Sequence, residues 1–327
     1  MPKNYPNRKV LLLSSYKGWI LEGMVRESAE ALGINIRVLF IPQRLKDFFR
    51  IKDFADYILG RKIKGDCLFV NQSSYFKALS SNSIRFIPEK SRVLYTHKGN
   101  EEIGDLEQIQ MLQRTKRIFV LNSKVKADLV VSGISGDKIT TVYGAIDRQI
   151  YYPMNYSDKD SPQLVDPYVL ILGDCKPRKN PKMIIEVIRA MRDVKFIIHG
   201  RGWREYLTDQ GIDKLENLKV VQFEIANNPQ LVREASAYLS LSKLEGGPLP
   251  TLESLTSGTP VVVTDTGWNK EIVKPGFGTV LSEAFTLSQV VNAINEAFKL
   301  KSKVRRIDLL KGEFTWELLG QKLYEVD

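Results

Sequence analysis

The sequence predicts an α/β protein made of two doubly wound domains in tandem. Short runs rich in Val, Ile, Leu and Phe alternate with longer stretches of helical periodicity, the pattern of βαβ units and parallel sheets. That alternation breaks once, at a polar stretch dense in turn residues, and then starts again. The length, 327 residues, is too great for one ordinary compact domain and suits two of about 150.

In the first half, strands are expected near Lys9–Ser15, Asn35–Phe40, Cys67–Asn71, Val93–His97, Arg117–Asn122 and Ile139–Tyr143. Helices such as Ile20–Leu32 and Leu45–Leu59 lie between them. Uninterrupted apolar runs, among them Leu68-Phe69-Val70 and Ile118-Phe119-Val120-Leu121, suit strands covered on both faces. The stretch Tyr151 to Pro167, carrying Pro153, Asn155, Ser157, Asp158, Asp160, Ser161 and Pro162, reads as the interdomain linker. Asp158-Lys159-Asp160 has the form of a magnesium-binding Asp-x-Asp but sits in this linker rather than after an apolar strand. Strands then follow at Tyr168–Leu172, Lys195–His199, Lys219–Phe223, Ala237–Ser242, Pro260–Thr264 and Thr279–Leu281, and a helix near Phe314 to Tyr324. The expected domains are residues 1–155 and 165–327, with a ligand cleft at the carboxyl ends of the strands.

Composition narrows the class. A chain 43% hydrophobic and 26% charged, without low-complexity tracts, folds as a globular protein rather than staying disordered. No apolar run approaches the length of a signal-peptide core or a membrane span, and Cys67 and Cys175 form no disulfide framework, so a cytoplasmic location is expected. The net charge of +10 lies wholly in the first half, which holds 25 Lys and Arg against 15 Asp and Glu, whereas the remainder balances at 23 against 23. Such a field attracts anions: nucleic acid, acidic lipid or a phosphorylated acceptor. The segment Arg44–Lys64 places seven basic residues beside an apolar face, a pattern of helices that lie on membranes and of ordinary helices packed on a sheet alike. With no Cys/His cluster and no complete Gly-x-Gly-x-x-Gly, neither zinc nor a dinucleotide is expected.

The most informative segment runs from Leu241 through Glu245-Gly246-Gly247-Pro248-Leu249-Pro250-Thr251-Leu252-Glu253 to Gly258-Thr259-Pro260-Val261-Val262-Val263. A strand ends, a glycine-rich turn follows, and a helix begins with Pro250 near its first position, where a missing N–H costs nothing. The free N–H groups of that helix end and its dipole suit a phosphate, and Gly246 and Gly247 allow close approach to the main chain.

This segment resembles the donor-binding motif of the retaining glycosyltransferases of family 4, the glycosyl transferases group 1: two glutamates with seven residues between them in a Glu-Gly-x-x-x-Pro-x-x-Glu frame, then a Gly-x-Pro-Val-Val strand. Similar stretches occur in family order at Leu121–Leu129, Lys138–Asp147, Val220–Phe223, Trp268–Val273 and Phe314-Thr315-Trp316. The resemblance implies two Rossmann-like domains facing a central cleft, the GT-B architecture, with the last helix crossing back onto the first domain. It implies a sugar transferred from a UDP- or GDP-linked donor to the hydroxyl of an acceptor glycan or lipid-linked glycan, without cofactor or nucleic acid; the residues themselves point to no metal, and the basic first half points to contact with an anionic membrane. By the same resemblance Glu253 binds the ribose and Glu245 lies at the transferred sugar. Pro248, Leu249 and Thr251 complete the donor turn, and His97 touches the donor sugar. Lys17 and Gly18 stand where relatives carry an acceptor and phosphate loop. In Gly173-Asp174-Cys175-Lys176-Pro177-Arg178-Lys179, Lys179 matches the family lysine, while Asp174 stands in place of the family arginine, leaving Arg178 or Lys176 to supply that charge. A nucleotide-sugar epimerase of the same shape and a non-catalytic nucleotide-sugar-binding protein are the alternatives.

Overall fold

The computed structural model describes residues 9–14, 20–40, 62–63, 67–80, 85–96, 105–153, 167–212, 215–304 and 307–325. The chain divides into two compact units, Met1–Ala145 with Phe314–Asp327, and Ile146–Glu313.

The first unit holds a six-stranded sheet in the order Asn35–Phe40, Lys9–Ser14, Cys67–Phe69, Ser91–Tyr95, Arg117–Val120, Ile139–Thr141, with every pairing parallel. A two-stranded parallel pair, Lys62–Ile63 with Arg85–Phe86, is an addition that the apolar pattern did not predict, since two residues leave no periodicity to read. The strands stop earlier than their apolar runs, because residues such as Leu121 and Asn122 turn into the next helix. There the Asn122 side chain accepts the Val125 N–H at 2.9 Å and caps Ser123–Val131.

The last helix, Trp316–Tyr324, belongs to this unit. Thr315 caps it, and Gly320 allows it to lie against the Ile20–Glu30 helix, where a Cβ would stand 2.4 Å from the Ser28 carbonyl oxygen. Tyr324 Oη donates to the Val25 carbonyl at 2.6 Å and the buried Arg92 donates to the Leu323 carbonyl at 2.5 Å. Glu325 closes the end, paired to Lys116 at 2.6 Å and Arg117 at 2.9 Å.

The second unit is a six-stranded parallel sheet in the order Leu218–Val221, Lys195–His199, Tyr168–Leu172, Ala237–Ser240, Val261–Thr264, Gly278–Leu281. Its central strands are buried along their whole length, as their unbroken apolar runs require. Helix Pro181–Ala190 buries Ile184, Ile185, Val187 and Ile188 against Val169, Ile171, Phe196 and Ile198. The Leu287–Val304 helix is pinned by a buried ammonium: Lys301 Nζ donates to Thr259 Oγ1 at 2.7 Å and to the carbonyls of Arg233 and Gly258. Those three bonds fix the turn that ends the donor-motif helix.

The unit begins at Ile146, earlier than the composition of the linker suggests. Arg233 explains why: its guanidinium lies 3.8 Å from the centre of the Tyr152 ring and donates to the carbonyls of Ile150 and Tyr152, so that turn is part of the second unit.

Strand order reverses between Tyr168–Leu172, which feeds its helix toward one side, and Ala237–Ser240, which feeds the other. At such a switch point the loops leaving the two strands diverge and leave a crevice at their carboxyl ends, where ligands of this fold class bind. The two loops here are 173–180 and 241–248.

Candidate donor site at the switch point of the second unit

The two loops carry the charged residues singled out by the sequence and hold them together. Lys243 N–H donates to the Arg178 carbonyl at 2.7 Å, joining the loops through the main chain. Glu245, its side chain 11% exposed, receives Lys179 Nζ on Oε1 at 2.6 Å and Arg178 Nη1 on Oε2 at 2.8 Å. Arg178 also donates to the Leu244 carbonyl at 3.0 Å. Burial alone would raise the Glu245 carboxyl, but Lys179 and then Arg178 outweigh it and hold the group below its ordinary value. Glu245 is therefore a charged carboxylate fixed between two cations, one of them still 42% exposed.

The helix Leu249–Thr256 starts with Pro248 as its cap residue and Pro250 in its first turn. Its start is fastened inside the unit: Thr251 Oγ1 donates to Asn269 Oδ1 at 2.9 Å, Asn269 Nδ2 to the Thr264 carbonyl at 3.0 Å, and Thr264 Oγ1 to the Ser242 carbonyl at 2.5 Å. The Thr251 hydroxyl is thus committed to positioning the turn. Gly247 has a similar duty. A Cβ there would stand 2.2 Å from the buried Trp268 ring, so the space opened by the missing side chain is filled by indole.

Glu253, one turn into the helix, has the opposite environment to Glu245. Its Oε2 is closed off from solvent and has no hydrogen-bond partner. Burial raises its pKa to about 7, against a smaller opposing effect of the hydrogen bond from Tyr151. Two glutamates eight positions apart in the numbering thus differ in kind: one is a paired anion, the other a buried carboxyl that burial lifts toward neutrality and whose Oε2 has no partner.

Asp174 is itself paired with a cation from another loop. Its carboxylate accepts the Arg201 N–H and Nε, both at 3.1 Å, and pairs with Nη2 at 3.0 Å. Burial would raise the Asp174 carboxyl, but the Arg201 bonds prevail and lower it. Close contact of the two loops is possible because Gly200 has no side chain, a Cβ there falling 2.0 Å from the Gly173 carbonyl oxygen. A guanidinium therefore stands next to Asp174, supplied by the neighbouring strand's loop, and the exposed Lys176 adds a weaker charge from the same loop as Asp174. Nothing in the spacing of residues 173–179 could have located Arg201. Lys17, Gly18, His97, the linker residues 154–166 and most of Arg44–Lys64 lie outside the described residues.

With this geometry in view, the likeness to known proteins can be stated. Residues 156–308, which lie within the second unit, match the model of the family described as Glycosyl transferases group 1. Over 292 residues, 80% of this chain and 74% of the relative, the sequence is 23% identical to the UDP-Gal:alpha-D-GlcNAc-diphosphoundecaprenol alpha-1,3-galactosyltransferase of Escherichia coli. Among solved structures it is similar to HepE of Anabaena in complex with UDP-glucose, with a TM-score of 0.67 at 16% identity, covering 97% of this chain and 98% of that one. The sucrose-phosphate synthase of Thermosynechococcus elongatus gives a TM-score of 0.72 at 14% identity, covering 98% of both chains. The fold is the two-domain α/β GT-B architecture.

Proposed function

We propose that this chain is a glycosyltransferase that moves a sugar from a nucleotide-diphosphate donor, UDP-linked rather than GDP-linked, to a hydroxyl of a lipid-linked glycan, with retention at the anomeric carbon. The observation that carries this reading is the pairing of Glu245 with Lys179 and Arg178 at the switch point, eight positions before Glu253, whose buried Oε2 has no hydrogen-bond partner. The choice of UDP follows HepE, whose structure holds UDP-glucose, and the E. coli relative, whose name gives UDP-Gal as donor and a diphosphoundecaprenol-linked sugar as acceptor.

The chemistry follows from these charges. Breaking the bond between sugar and diphosphate leaves negative charge on the leaving group, which must be met by groups already in place. Lys179 and Arg178 are such groups, and a diphosphate arriving beside them competes with Glu245 for their charge. Glu245, thereby loosened, turns to the hydroxyls of the sugar and offsets positive charge developing at the anomeric carbon. Glu253 accepts both ribose hydroxyls, as a carboxylate can. In a retaining transfer the acceptor proton passes to the departing phosphate on the same face of the sugar, so no side chain is assigned as base. No helix among the described residues is long and apolar enough to cross a membrane, and we infer peripheral contact with an anionic bilayer through the basic first half.

The test is product analysis by NMR after incubation with UDP-galactose, UDP-glucose and a GDP-linked sugar, each with and without a lipid-diphosphate-linked GlcNAc acceptor. A new glycosidic linkage in the α configuration, or slow release of free sugar and UDP without acceptor, supports transfer. A new sugar nucleotide would make the protein an epimerase. Tight nucleotide binding with neither product would make it a binding protein.

A further inference from the structure

Neighbouring strand ends of the second unit carry a row of side chains: Phe223 after Leu218–Val221, Arg201 after Lys195–His199, Asp174 and Lys179 after Tyr168–Leu172, and Glu245 after Ala237–Ser240. The donor site described above uses Glu245 and Lys179, and the row runs on past them without a break. A Cβ on Gly173 would stand 3.5 Å from Lys179 Nζ, so the ammonium lies against the main chain that leads into Asp174. The Asp174 loop is joined in turn to the Arg201 loop. Cys175 N–H donates to the Arg201 carbonyl at 2.8 Å, and Trp203 Nε1 donates to the Gly173 carbonyl at 2.9 Å. Asp174 holds the guanidinium by one side only, through Nε at 3.1 Å and Nη2 at 3.0 Å. A guanidinium has five N–H donors, so its outer edge, Nη1 and the second Nη2 proton, is left facing away from Asp174 on a side chain 71% exposed. The same guanidinium lies over the half-buried Phe223 ring, 5.1 Å from its centroid. Phe223 is fixed from behind. Its ring is stacked on the buried His199 ring with centroids 5.1 Å apart, and Glu224 N–H donates to His199 Nε2 at 3.0 Å. The ring proton of His199 therefore sits on Nδ1, which donates to Asn228 Oδ1 at 2.6 Å and closes the turn.

We propose that Arg201, anchored by Asp174 over the Phe223 ring, reads the nucleobase of the donor: its outer N–H edge donates to a ring carbonyl, admitting uracil and rejecting cytosine, which presents an amino group there. The proposal rests on the second unit being the site of a nucleoside-diphosphate sugar. Three observations favour the base over the diphosphate as the partner of Arg201. The first is charge. Burial would raise the Asp174 carboxyl, but the Arg201 bonds hold it ionised, so a phosphate on the outer edge would set a second anion close to the first, whereas a carbonyl brings none. The second is position. Neighbouring strands lie about 4.8 Å apart, which puts Arg201 one strand and Phe223 two strands beyond the loop whose Lys179 and Arg178 stand ready for the diphosphate. A nucleoside attached to that diphosphate reaches them. The third is shape, because a planar guanidinium beside an aromatic ring offers a flat surface to a flat ligand. Specificity follows from the fixed direction of the donors. The 4-carbonyl of uracil accepts from them, while the 4-amino group of cytosine sets donor against donor and leaves both without a partner.

The experiment is calorimetric titration of the full chain with UDP, CDP and UMP, for wild type, Arg201→Leu, Arg201→Lys and Asp174→Asn. The urea midpoint of each ligand-free variant reports whether it folds, and if Arg201→Leu does not, the other two variants carry the test. Wild type should bind UDP at least about tenfold more tightly than CDP. Arg201→Leu should weaken UDP about five- to tenfold, the loss of one charge-assisted hydrogen bond, and leave CDP within about twofold, so that the preference collapses. UMP should lose the same factor as UDP, since the contact lies on the base and not on the second phosphate. Arg201→Lys keeps the charge without the planar fork and should not restore the preference, and Asp174→Asn, which loosens the anchor, should reduce it. A wild type that binds UDP and CDP alike, or variants that weaken both by the same factor, would overturn the proposal while the donor site stands. In that second case, affinity recovered by Arg201→Lys would mark a diphosphate contact, and a fall in urea midpoint would mark a clamp between loops. If wild type binds none of the three nucleotides, the donor reading itself fails and the role of Arg201 falls with it.

Discussion

UDP binding should strengthen as the pH rises through neutrality if Glu253 receives the ribose as proposed, because burial lifts that carboxyl to about 7 in the free protein. Burial raises the Glu253 pKa from 4.5 to about 7, with Tyr151 opposing. A carboxyl whose folded value is raised adds stability that is fully present below its unfolded value near 4.5 and is lost as the pH climbs through about 7. At about 1.4 kcal/mol per pH unit, holding the charged form there costs the free protein about 3 kcal/mol. Two ribose hydroxyls donating to the carboxylate restore the charge, so below neutrality binding must expel a proton. About a tenth of the free protein carries the charged form at pH 6 and about nine tenths at pH 8, so affinity should rise about tenfold between them. Calorimetry in buffers of different ionisation enthalpy counts the protons directly: near one released per UDP at pH 6, near none at pH 8.5. The nucleotide's own phosphate also titrates in this range, so Glu253→Gln, which retains that titration and removes the carboxyl, supplies the baseline. A wild-type profile that overlays the Glu253→Gln profile would refute the reasoning.

Three further outcomes follow from the same geometry. If the Glu245 charge acts at the sugar as proposed, Glu245→Gln should lower turnover by at least about tenfold while changing the Kd for UDP by less than about threefold, measured by steady-state kinetics beside calorimetry. Gly247→Ala should destabilise the protein by about 1–3 kcal/mol in urea denaturation, since the new methyl must displace the buried Trp268 ring from a packed site. Replacing Arg50, Lys52, Arg61 and Lys62 with Gln should abolish salt-sensitive co-sedimentation with anionic vesicles, at about 1 kcal/mol per charge. Equal sedimentation of wild type and variant, or binding indifferent to lipid charge, would return the basic first half to mere solubility.

The sheets were legible in the sequence because their strands are buried on both faces, and continuous apolar runs such as Tyr168–Leu172 and Val261–Thr264 have no other use in a soluble chain. Strand ends were less so. Apolar residues carry on past the last ladder bond, as at Leu121 and Leu241, because the loop beyond is buried too. Glu245, Glu253 and Lys179 could be picked out because each sits in a segment whose turn chemistry is local: glycines, a proline at the helix start, a strand on either side. Arg201 could not: it takes its meaning from Asp174, 27 residues away, and lies in a stretch that reads as a surface turn. The unit boundary escaped for a similar reason. Tyr151 and Tyr152 sit among turn residues, and it is the Arg233 contacts, a cation–π contact and two hydrogen bonds to carbonyls, that tie this turn to the second unit.

The donor site itself is tested most directly by titrating UDP into wild type and Glu253→Ala at pH 8, with the urea midpoint confirming that the variant is folded. Loss of hydrogen bonds to the ribose should weaken binding by about 1–3 kcal/mol, roughly five- to 150-fold, with 2′-deoxy-UDP losing less. A folded Glu253→Ala protein that binds UDP as tightly as wild type would contradict the assignment of the second unit as the nucleotide-sugar site.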